Sequence, residues 1–441
     1  MKKQILVLGK GKSGKAACYL LNKQGHKTIC VDDTDDVFNE EEFSSFLFCV
    51  ASPGFAPHNK WILACKNAGL KVISELDLGL LYCKSKNIVA VTGTNGKTTI
   101  VTLTSKLLET QQKTHLLGNV GIPLSAEVEN IEKMDDVVLE VSSFMLYQSQ
   151  RLHPKIAIIS NITPDHKEWH QTHENYVESK LKILENQTSN DYCIFAADDP
   201  MLRTYLSRAK SKILLVSNFG KVEGVYIENN NIIFSAFNIH EVVAKVQDIC
   251  ICGKHNQVNA LMAILAAKLM GISNKNIANS LRSFKGLDHR IKTVATKNGI
   301  TFVDDSKSTN PDSTIKAAEA MLGKSIVLML GGFDKGLDVQ EFVDKATKLA
   351  KQTVMFGPAG KRFFDVAMDQ KAKNTVLAKN FTEAFLLATK IAERGDVVLL
   401  SPGCSSFDEF SSYSERGKKF EQLVESIEEQ TKKNNTKKAK V

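Results

Sequence analysis

One stretch near the end of the first hundred residues constrains the fold of this chain more than any other. Residues 88–91 form a β-branched apolar run, which predicts a buried strand. A glycine-bearing turn follows, and the residues from Thr98 onward have the composition of a helix. A turn between a strand and a helix directs backbone N–H groups at a phosphate, and the helix N-terminus adds to that attraction. The sequence therefore predicts a phosphate-binding loop at residues 93–98.

This loop is shorter than the usual G-x-x-x-x-G-K-[ST] loop, because only two residues separate Gly93 from Gly96. Lys97 is placed to reach the terminal phosphates of a nucleotide, and the Thr98 hydroxyl is placed to contact Mg²⁺. The alternative interpretation is a turn that contains Gly-Lys-Thr by chance. The strand before the loop and the helix after it favour the phosphate loop.

The chain has 441 residues, a length that predicts two to four domains. Strands alternate with helices throughout, which predicts mostly parallel sheets of the α/β class whose strand ends share one rim. We expect the domains to be residues 1–87, 88–286 and 287–430. Residues 431–441 are expected to form a disordered basic tail, which holds five of the lysines behind the net charge of +8.

The first predicted domain carries a second glycine-rich turn. Gly9, Gly11 and Gly14 form G-x-G-x-x-G directly after a strand, and Asp32 follows about twenty positions later. This pattern alone indicates that a nucleotide diphosphate can bind there, without identifying the nucleotide. Ser52 begins the turn at the end of another strand of this domain.

Composition narrows the class of protein. The chain is 43% hydrophobic, and no apolar run approaches the roughly 18 residues that a membrane-spanning helix needs. Nine cysteines occur without a C-x-x-C pair, so we expect a cytoplasmic protein with no structural zinc and no nucleic-acid partner. Cys250 and Cys252 are predicted to lie on opposite faces of a strand.

Polar residues follow several predicted strands of the middle domain. Glu140 ends one strand, and His166 closes the turn after the next. Lys180 lies in a helical run, where sequence alone favours a solvated lysine. Asn256 and Asn259 are three residues apart, so they share one face near the start of a helix predicted over 260–270.

These segments together resemble the motifs of the Mur ligase family of ATP-dependent amide-forming ligases. The resemblance spans about residues 3–425, and it includes Glu140-x-Ser142-Ser143-Phe144, Asn161-x-x-x-Asp165-His166, Lys180, His255-Asn256-x-x-Asn259, His289-Arg290 and Asp305-Ser-Lys307. It implies an N-terminal Rossmann-like UDP-binding domain, a central P-loop-type mononucleotide-binding ATPase domain and a C-terminal Rossmann-like domain that binds an amino acid.

Further segments favour the family member that adds D-glutamate to UDP-N-acetylmuramoyl-L-alanine through an acyl phosphate in peptidoglycan synthesis. They are Ala51-Ser-Pro-Gly54, Leu330-Gly-Gly-x-Asp-Lys335 and Leu400-Ser-Pro-Gly-Cys-Ser-Ser406. The resemblance also implies a monomer. Met145 and Tyr413 depart from the family pattern, in which a glutamine and a phenylalanine are usual, so the substrate contacts at these positions are open.

The resemblance assigns roles to individual residues. The catalytic group is Lys97, Glu140, His166 and Lys180. The ATP contacts are Gly93, Thr94, Asn95, Gly96, Lys97, Thr98, Thr99, Asn256, Asn259, Arg290 and Asp305. The contacts to the other two substrates are Gly11, Ser13, Asp32, Ser52, Asn119, Ser142, Lys307, Thr309, Lys335, Ser406 and Tyr413. Two Mg²⁺ ions are implied, one near Thr98 and Glu140 and one near His166 and a carbamylated Lys180.

Two alternatives remain. A folylpolyglutamate synthase-like ligase would share the middle domain, but the N-terminal glycine-rich domain suits a UDP-sugar better. A nucleotide-gated binding or regulatory protein would use ATP without ligation. The presence of Lys97, Glu140, His166 and Lys180 argues against that loss of chemistry.

Overall fold

The computed structural model describes residues 4–428 apart from Lys335 and Leu337. Within these residues the strands form three sheets, and helices accompany each of them. The chain divides into two compact units. The first comprises the residues up to Cys250 together with His255–Phe284, and the second comprises Ile251–Lys254 and the residues from Lys285 onward. The predicted tail at 431–441 and the predicted ligand Lys335 lie outside the described residues.

The first sheet has four parallel strands in the order β2-β1-β3-β4. Its strands are β1 (Gln4–Leu8), β2 (Thr28–Val31), β3 (Phe46–Ala51) and β4 (Val72–Ser74), and its helices are α1 (Lys12–Lys23), α2 (Glu40–Phe43), α3 (Lys60–Asn67) and α4 (Glu75–Tyr82). Leu6, Leu8 and Trp61 belong to the buried cluster under this sheet. The parallel α/β arrangement predicted for the start of the chain is confirmed.

The second sheet has nine strands in the order β13-β12-β11-β10-β9-β8-β5-β7-β6. They are β5 (Asn87–Thr92), β6 (Thr114–Gly118), β7 (Asp136–Glu140), β8 (Ile156–Ile159), β9 (Tyr192–Ala196), β10 (Lys212–Ser217), β11 (Gly224–Glu228), β12 (Asn231–Ala236) and β13 (Ile239–Lys245). The strands from β5 to β11 pair in parallel, and β12 and β13 add an antiparallel edge. Buried β5 lies at the centre of the parallel part, so the predicted phosphate loop leaves the middle of a rigid sheet.

The helices that accompany the second sheet are α5 (Lys97–Leu108), α6 (Leu124–Glu127), α7 (Ser143–Gln148), α8 (Lys167–His170), α9 (His173–Leu181), α10 (Pro200–Arg203), α11 (Lys254–Leu269) and α12 (Asn274–Ser283). Several begin at a residue whose side chain accepts a hydrogen bond from the first turn, as Ser142 does for α7 and Thr172 for α9. None of the helices in the described residues has the length and hydropathy needed to cross a membrane.

The third sheet, in the second unit, has six strands in the order β14-β15-β19-β16-β17-β18. They are β14 (Lys292–Lys297), β15 (Ile300–Asp304), β16 (Ile326–Gly331), β17 (Gln352–Phe356), β18 (Thr375–Leu377) and β19 (Val397–Gly403). Its helices are α13 (Pro311–Glu319), α14 (Gln340–Leu349), α15 (Gly357–Asp369), α16 (Phe381–Ile391) and α17 (Tyr413–Glu425). Only β14 pairs antiparallel, and apolar clusters pack against both faces of the sheet.

Two local predictions are wrong. The helix predicted over 260–270 begins earlier, at Lys254 directly after Gly253 with its positive φ of 100°, so Asn256 and Asn259 lie inside it. Cys250 and Cys252 lie in the irregular segment between β13 and α11 and not on a strand. Alternating apolar and polar residues there resemble a strand, but the sheet has already ended at Lys245.

Two buried carboxylates of α4 join the first sheet to the second within the first unit. Asp77 accepts hydrogen bonds from the Ser149 hydroxyl at 2.6 Å and from the backbone N–H groups of Gln150 at 2.8 Å and Arg151 at 3.1 Å. Glu75 accepts from both the backbone and the hydroxyl of Ser125. These bonds fix the chain just after α7, and so help to hold the segment that leads into β8.

We expect Asp77→Ala to lower the free energy of unfolding of the first unit by about 1–3 kcal/mol, because three donors lose a charged acceptor. Asp77→Asn retains one acceptor oxygen and should fall between this variant and the wild type. Chemical denaturation of the three proteins checks the order. Equal stability of Asp77→Ala and wild type would contradict this role.

Candidate active site

The loop after β5 has the backbone of a phosphate-binding turn. Gly93 has φ of 145° and Gly96 has φ of 86°, conformations that side-chain-bearing residues rarely adopt. A Cβ at Gly93 would also overlap the Ser160 hydroxyl, and one at Gly96 would overlap the Asn259 carboxamide. Both glycines are therefore required by close packing as well as by backbone conformation, and the predicted strand, loop and helix are confirmed.

The end of the neighbouring strand β8 holds this loop. The Asn161 carboxamide accepts from the backbone N–H of Asn95 at 2.9 Å and donates to the carbonyl of the same residue at 3.0 Å. The Ser160 hydroxyl donates to that carbonyl at 2.6 Å. The conformation of the loop is thus set before any ligand arrives.

Two lysine amines converge on one backbone carbonyl. Lys97 Nζ lies 2.8 Å from the oxygen of Gly93, and Lys180 Nζ lies 2.7 Å from the same oxygen. Lys180 is 1% exposed, which corrects the interpretation of a solvated helix lysine that sequence alone favours. Burial, followed by the positive charge of Lys97, holds the pKa of Lys180 well below its ordinary value. The Lys97 amine therefore suits a polyanion, whereas burial disfavours the charged form of Lys180.

Tyr176 connects these groups and was not predicted from the sequence. Its hydroxyl lies 2.9 Å from the Thr94 hydroxyl, and its ring centroid lies 4.5 Å from Lys180 Nζ. Tyr176 precedes Lys180 by four residues in α9, so the two share a helix face. This four-residue spacing from Lys180 is the feature of the sequence from which Tyr176 could have been predicted.

Glu140, at the end of β7, is buried and only partly satisfied. Its Oε1 accepts from the Asn119 carboxamide at 2.7 Å. Among the described residues, its Oε2 has no hydrogen-bond partner. An unpartnered buried carboxylate oxygen is costly unless a cation or donor completes it, so Glu140 fits a role as a ligand of a hard divalent cation.

His166 begins α8 with a left-handed backbone, φ 51° and ψ 38°. Its ring packs edge-on against Phe144 with centroids 4.7 Å apart, and its Nδ1 lies 3.4 Å from Glu168. Tyr176 lies further away, at 6.3 Å between ring centroids. The structure thus places His166 near Tyr176, the residue that contacts both Thr94 and Lys180.

The remaining predicted residues of this sheet lie around the loop. Thr98 and Thr99 form the first turn of α5, and Ser142 caps α7 by accepting from the Met145 N–H at 3.2 Å. In α11, the Asn259 carboxamide donates to that of Asn256 at 3.1 Å. Met145 is buried, so the departure at this position packs into the core.

The first sheet presents a second glycine-bearing turn before a helix. Gly11 precedes α1 and Ser13 lies in its first turn. Asp32 accepts from the backbone N–H of Lys10 at 3.0 Å, which fixes the turn. The Ser52 hydroxyl is buried and, within residues 4–428 as described, has no hydrogen-bond partner. These four residues, all predicted substrate contacts, thus follow the carboxyl ends of β1, β2 and β3.

In the second unit, buried Arg416 ties together the loops after β15 and β19. Its guanidinium donates to the Ser306 hydroxyl at 3.0 Å, to the Ser306 carbonyl at 2.9 Å and to the Cys404 carbonyl at 3.0 Å. The Ser306 hydroxyl donates to the Tyr413 carbonyl at 2.8 Å. Burial lowers the pKa of Arg416 to about 10, so the side chain stays charged at neutral pH.

Several predicted substrate contacts lie on this rim. Lys307 Nζ lies 4.0 Å from the ring centroid of Tyr413. Ser406 is buried in the loop after β19, and Thr309 precedes α13. The structure brings Lys307 and Tyr413 together, whereas it gives no description of Lys335, the residue predicted to bind the side-chain carboxylate.

Asp305 is fully buried in this rim. It accepts hydrogen bonds from the hydroxyls of Ser308 and Ser401, at 2.5 and 2.7 Å. Burial raises the pKa of Asp305 to about 7, although these hydroxyls and the charge of Arg290 oppose the shift. Asp305 therefore titrates near neutral pH.

Comparison with known proteins agrees with this architecture. The Mur ligase middle domain family matches residues 91–267, and the family described as Mur ligase, glutamate ligase domain matches residues 289–404. A UDP-N-acetylmuramoylalanine–D-glutamate ligase of Pelotomaculum thermopropionicum is 37% identical over 97% of this chain and 98% of its own length. The corresponding ligase of Caldanaerobacter subterraneus subsp. tengcongensis is 36% identical over 96% of this chain and 98% of its own.

The structure of MurF ligase from Thermotoga maritima in complex with ADP has the same fold, with a TM-score of 0.60 at 19% identity over 89% of this chain and 98% of the other. Fold and phosphate loop thus define an α/β protein of the nucleotide-binding ligase class. The chain belongs to the Mur ligase family, which confirms the resemblance seen in its motifs.

We expect the ionisation of Asp305 to destabilise the second unit. Its folded pKa of about 7 exceeds the ordinary 3.8, so its contribution is fully present below pH 3.8 and is lost as the pH rises toward 7. Asp305→Asn cannot ionise and should not show this loss. Denaturation at pH 5, 6, 7 and 8 checks this: the stability of wild type relative to the variant should fall by about 1.4 kcal/mol per unit up to pH 7. Parallel profiles would contradict the assignment.

Proposed function

We propose that this protein is an ATP-dependent ligase that joins D-glutamate to UDP-N-acetylmuramoyl-L-alanine in peptidoglycan synthesis, forming ADP and phosphate. The observation that carries the proposal is the pair of amines of Lys97 and Lys180 on the Gly93 carbonyl, beside the partly satisfied carboxylate of Glu140. The full-length similarity to ligases of this name supports the choice of substrates.

In this reaction the substrate carboxylate attacks the γ-phosphorus of ATP, and the bond from phosphorus to the ADP oxygen breaks. The amine of D-glutamate then attacks the acyl phosphate, phosphate leaves, and the amine gives up a proton. The chemistry depends on positioning and charge neutralisation. Lys97 is placed to neutralise the phosphoryl group, because it is the first residue of α5 and directly follows the N–H groups of the loop.

The donor set fits two Mg²⁺ ions. Thr98 and Glu140 would hold one, because Glu140 Oε2 has no hydrogen-bond partner among the described residues. His166 and Lys180 would hold the other, provided that Lys180 carries a carbamate whose oxygens suit a hard cation. Bound Mg²⁺ supplies neutralisation of the phosphate charge. The lowered pKa of Lys180 supports carbamylation, because the neutral amine is the form that attacks CO₂, forms the N–C bond and releases a proton.

We assign the substrates to three domains, at 1–87, 88–286 and 287–430. The UDP moiety would bind the first through Gly11, Ser13, Asp32 and Ser52. ATP would bind the second, and Asn119 and Ser142 would contact the acyl substrate. D-Glutamate would bind the third through Lys307, Thr309, Lys335, Ser406 and Tyr413. We propose a cytoplasmic monomer, in keeping with nine free cysteines and nucleotide substrates.

The folylpolyglutamate synthase-like alternative is less well supported, because the first sheet offers a separate nucleotide turn held by Asp32. The alternative of a nucleotide-gated regulator without ligation is disfavoured by the ordered group around Gly93. Each alternative differs from the proposed function in the substrates that it predicts to be consumed.

Phosphate release measured in the presence of ATP and Mg²⁺ tests the function. We expect release only when both UDP-N-acetylmuramoyl-L-alanine and D-glutamate are present, and Lys97→Ala should reduce it on the order of 10²-fold or more while leaving the fold intact. Release with a folate and L-glutamate would favour the first alternative. ATP binding without any substrate-dependent release would favour the second.

Lys180→Ala should be nearly inactive, because the carbamate oxygens are lost. Short carboxylic acids added at high concentration should restore part of the activity by occupying that space, and they should not restore Lys97→Ala. Mass spectrometry or ¹³C NMR with labelled bicarbonate should detect the carbamate in the wild type. An unmodified ammonium in the active, metal-loaded enzyme would refute the assignment.

A further inference from the structure

His170 is the last residue of α8, and its ring joins two neighbouring helices of the first unit. Its Nε2 lies 2.9 Å from the hydroxyl oxygen of Ser143 in α7, and its Nδ1 lies 3.3 Å from that of Ser179 in α9. The three residues are at most 3% exposed, so water does not compete for these bonds. The ring of His170 therefore fixes α7 and α9 relative to each other.

The hydrogen bonds of this bridge run in a definite direction. The Ser179 hydroxyl donates its single proton to the Asn175 carbonyl at 2.6 Å, so it accepts from His170, and the ring proton lies on Nδ1. Burial is the main cause that lowers the pKa of His170 to about 4, so the ring is neutral at pH 7 and carries one proton. The unprotonated Nε2 then accepts from the Ser143 hydroxyl.

The backbone on both sides of α8 is held in unfavourable conformations. His166, before the helix, has φ of 51°, and Gln171, after it, has φ of 68°. Such residues persist only where the surrounding structure holds them in place. The Asn175 carboxamide donates to the His170 carbonyl at 3.0 Å, which fixes the end of this short helix. The position of the His170 ring is thus set by backbone contacts as well as by its own bonds.

The residues next to the two serines give this bridge a function. Ser142 directly precedes Ser143 and is assigned above to the acyl substrate. Lys180 directly follows Ser179 and is assigned above to a metal ion. We propose that His170 is a positioning residue for the ligation reaction, which aligns Ser142 with Lys180. The inference rests on the proposed function, since it presupposes that these two residues serve one reaction.

Steady-state kinetics of His170→Phe test the proposal, because a phenylalanine ring can still pack against Phe144 and Tyr176 but forms neither hydrogen bond. We expect kcat to fall by about tenfold to a hundredfold, as it does when reacting groups are displaced by about an ångström. The KM values for ATP and D-glutamate should change less than about twofold, because the bonds of the ring go to Ser143 and Ser179, which are assigned to neither substrate.

Conservative variants separate the two bonds. His170→Asn retains a donor for Ser179 and His170→Gln retains an acceptor for Ser143, so each should recover part of the lost kcat. The double variant Ser143→Ala with Ser179→Ala should reproduce the loss seen in His170→Phe. Combining all three substitutions should lower kcat no further, because they remove the same interactions.

His153→Phe is the matched control. His153 lies between α7 and β8, outside the predicted site, and its Nε2 lies 2.8 Å from Asp191 Oδ2. The control therefore also exchanges a hydrogen-bonded histidine for a phenylalanine, and its kcat should equal that of wild type. Thermal melts show whether each variant is folded. The double serine variant supplies the comparison if His170→Phe is not.

Histidine ¹⁵N NMR gives a readout that does not depend on activity. In the wild type without nucleotide or metal at pH 7, the His170 ring should carry its proton on Nδ1. The His170→Phe spectrum identifies the signal by its loss. A proton on Nε2 would reverse the direction of the bridge and overturn the proposal.

Three kinetic results would also overturn it. Wild-type kcat in folded His170→Phe would show that the bridge is not needed, and proportionate changes in kcat and every KM value would indicate a structural role only. Full kcat in the double serine variant would show that the ring does not act through these bonds. If wild type itself shows no D-glutamate-dependent phosphate release, the proposed function fails first and the inference falls with it.

Discussion

Two amines on one carbonyl oxygen are the constraint on which the phosphate site depends. Lys97 and Lys180 both donate to Gly93, at 2.8 and 2.7 Å. Burial and the positive charge of Lys97 both disfavour the charged form of Lys180 and so lower its pKa. Gly93 packs against Ser160, which holds the carbonyl in place. The ring of Tyr176 contacts the Lys180 amine and stabilises its position.

The second unit also buries a basic side chain but stabilises it with different groups. Its buried cation, Arg416, faces carbonyls and a hydroxyl from the loops after β15 and β19 and forms no ion pair among the described residues. The partial charges of these carbonyl and hydroxyl oxygens stabilise the guanidinium in place of a carboxylate. A second buried ion to pair with Arg416 is therefore not needed in the rim. Asp305 nearby is kept largely protonated below neutral pH by its burial.

The sequence predicts best what depends on local structure. The loop at Gly93 follows from a β-branched run, two glycines and a helix-forming segment, all adjacent in the chain. Tyr176 could not be found in the same way, because its bond to Thr94 exists only once α9 packs against the loop. Lys180 is a surface residue by helical pattern alone, and only the resemblance implied a functional role for it. The start of α11 was misplaced because Lys254 begins the helix without an Asn, Ser, Thr or Asp cap.

The charges of the phosphate site bear on the state of Lys180. With an ammonium there, Lys97 and Lys180 balance Glu140 and Asp165, whose negative charges both act on Lys180. A neutral set of this kind has no electrostatic reason to take up a divalent cation. Converting the Lys180 ammonium to a carbamate replaces a positive charge by a negative one and leaves a net charge of about minus two on these four side chains, which favours the binding of divalent cations. In the proposed carbamylated state, the modified Lys180 and the unpartnered oxygen of Glu140 among the described residues would both favour the binding of metal.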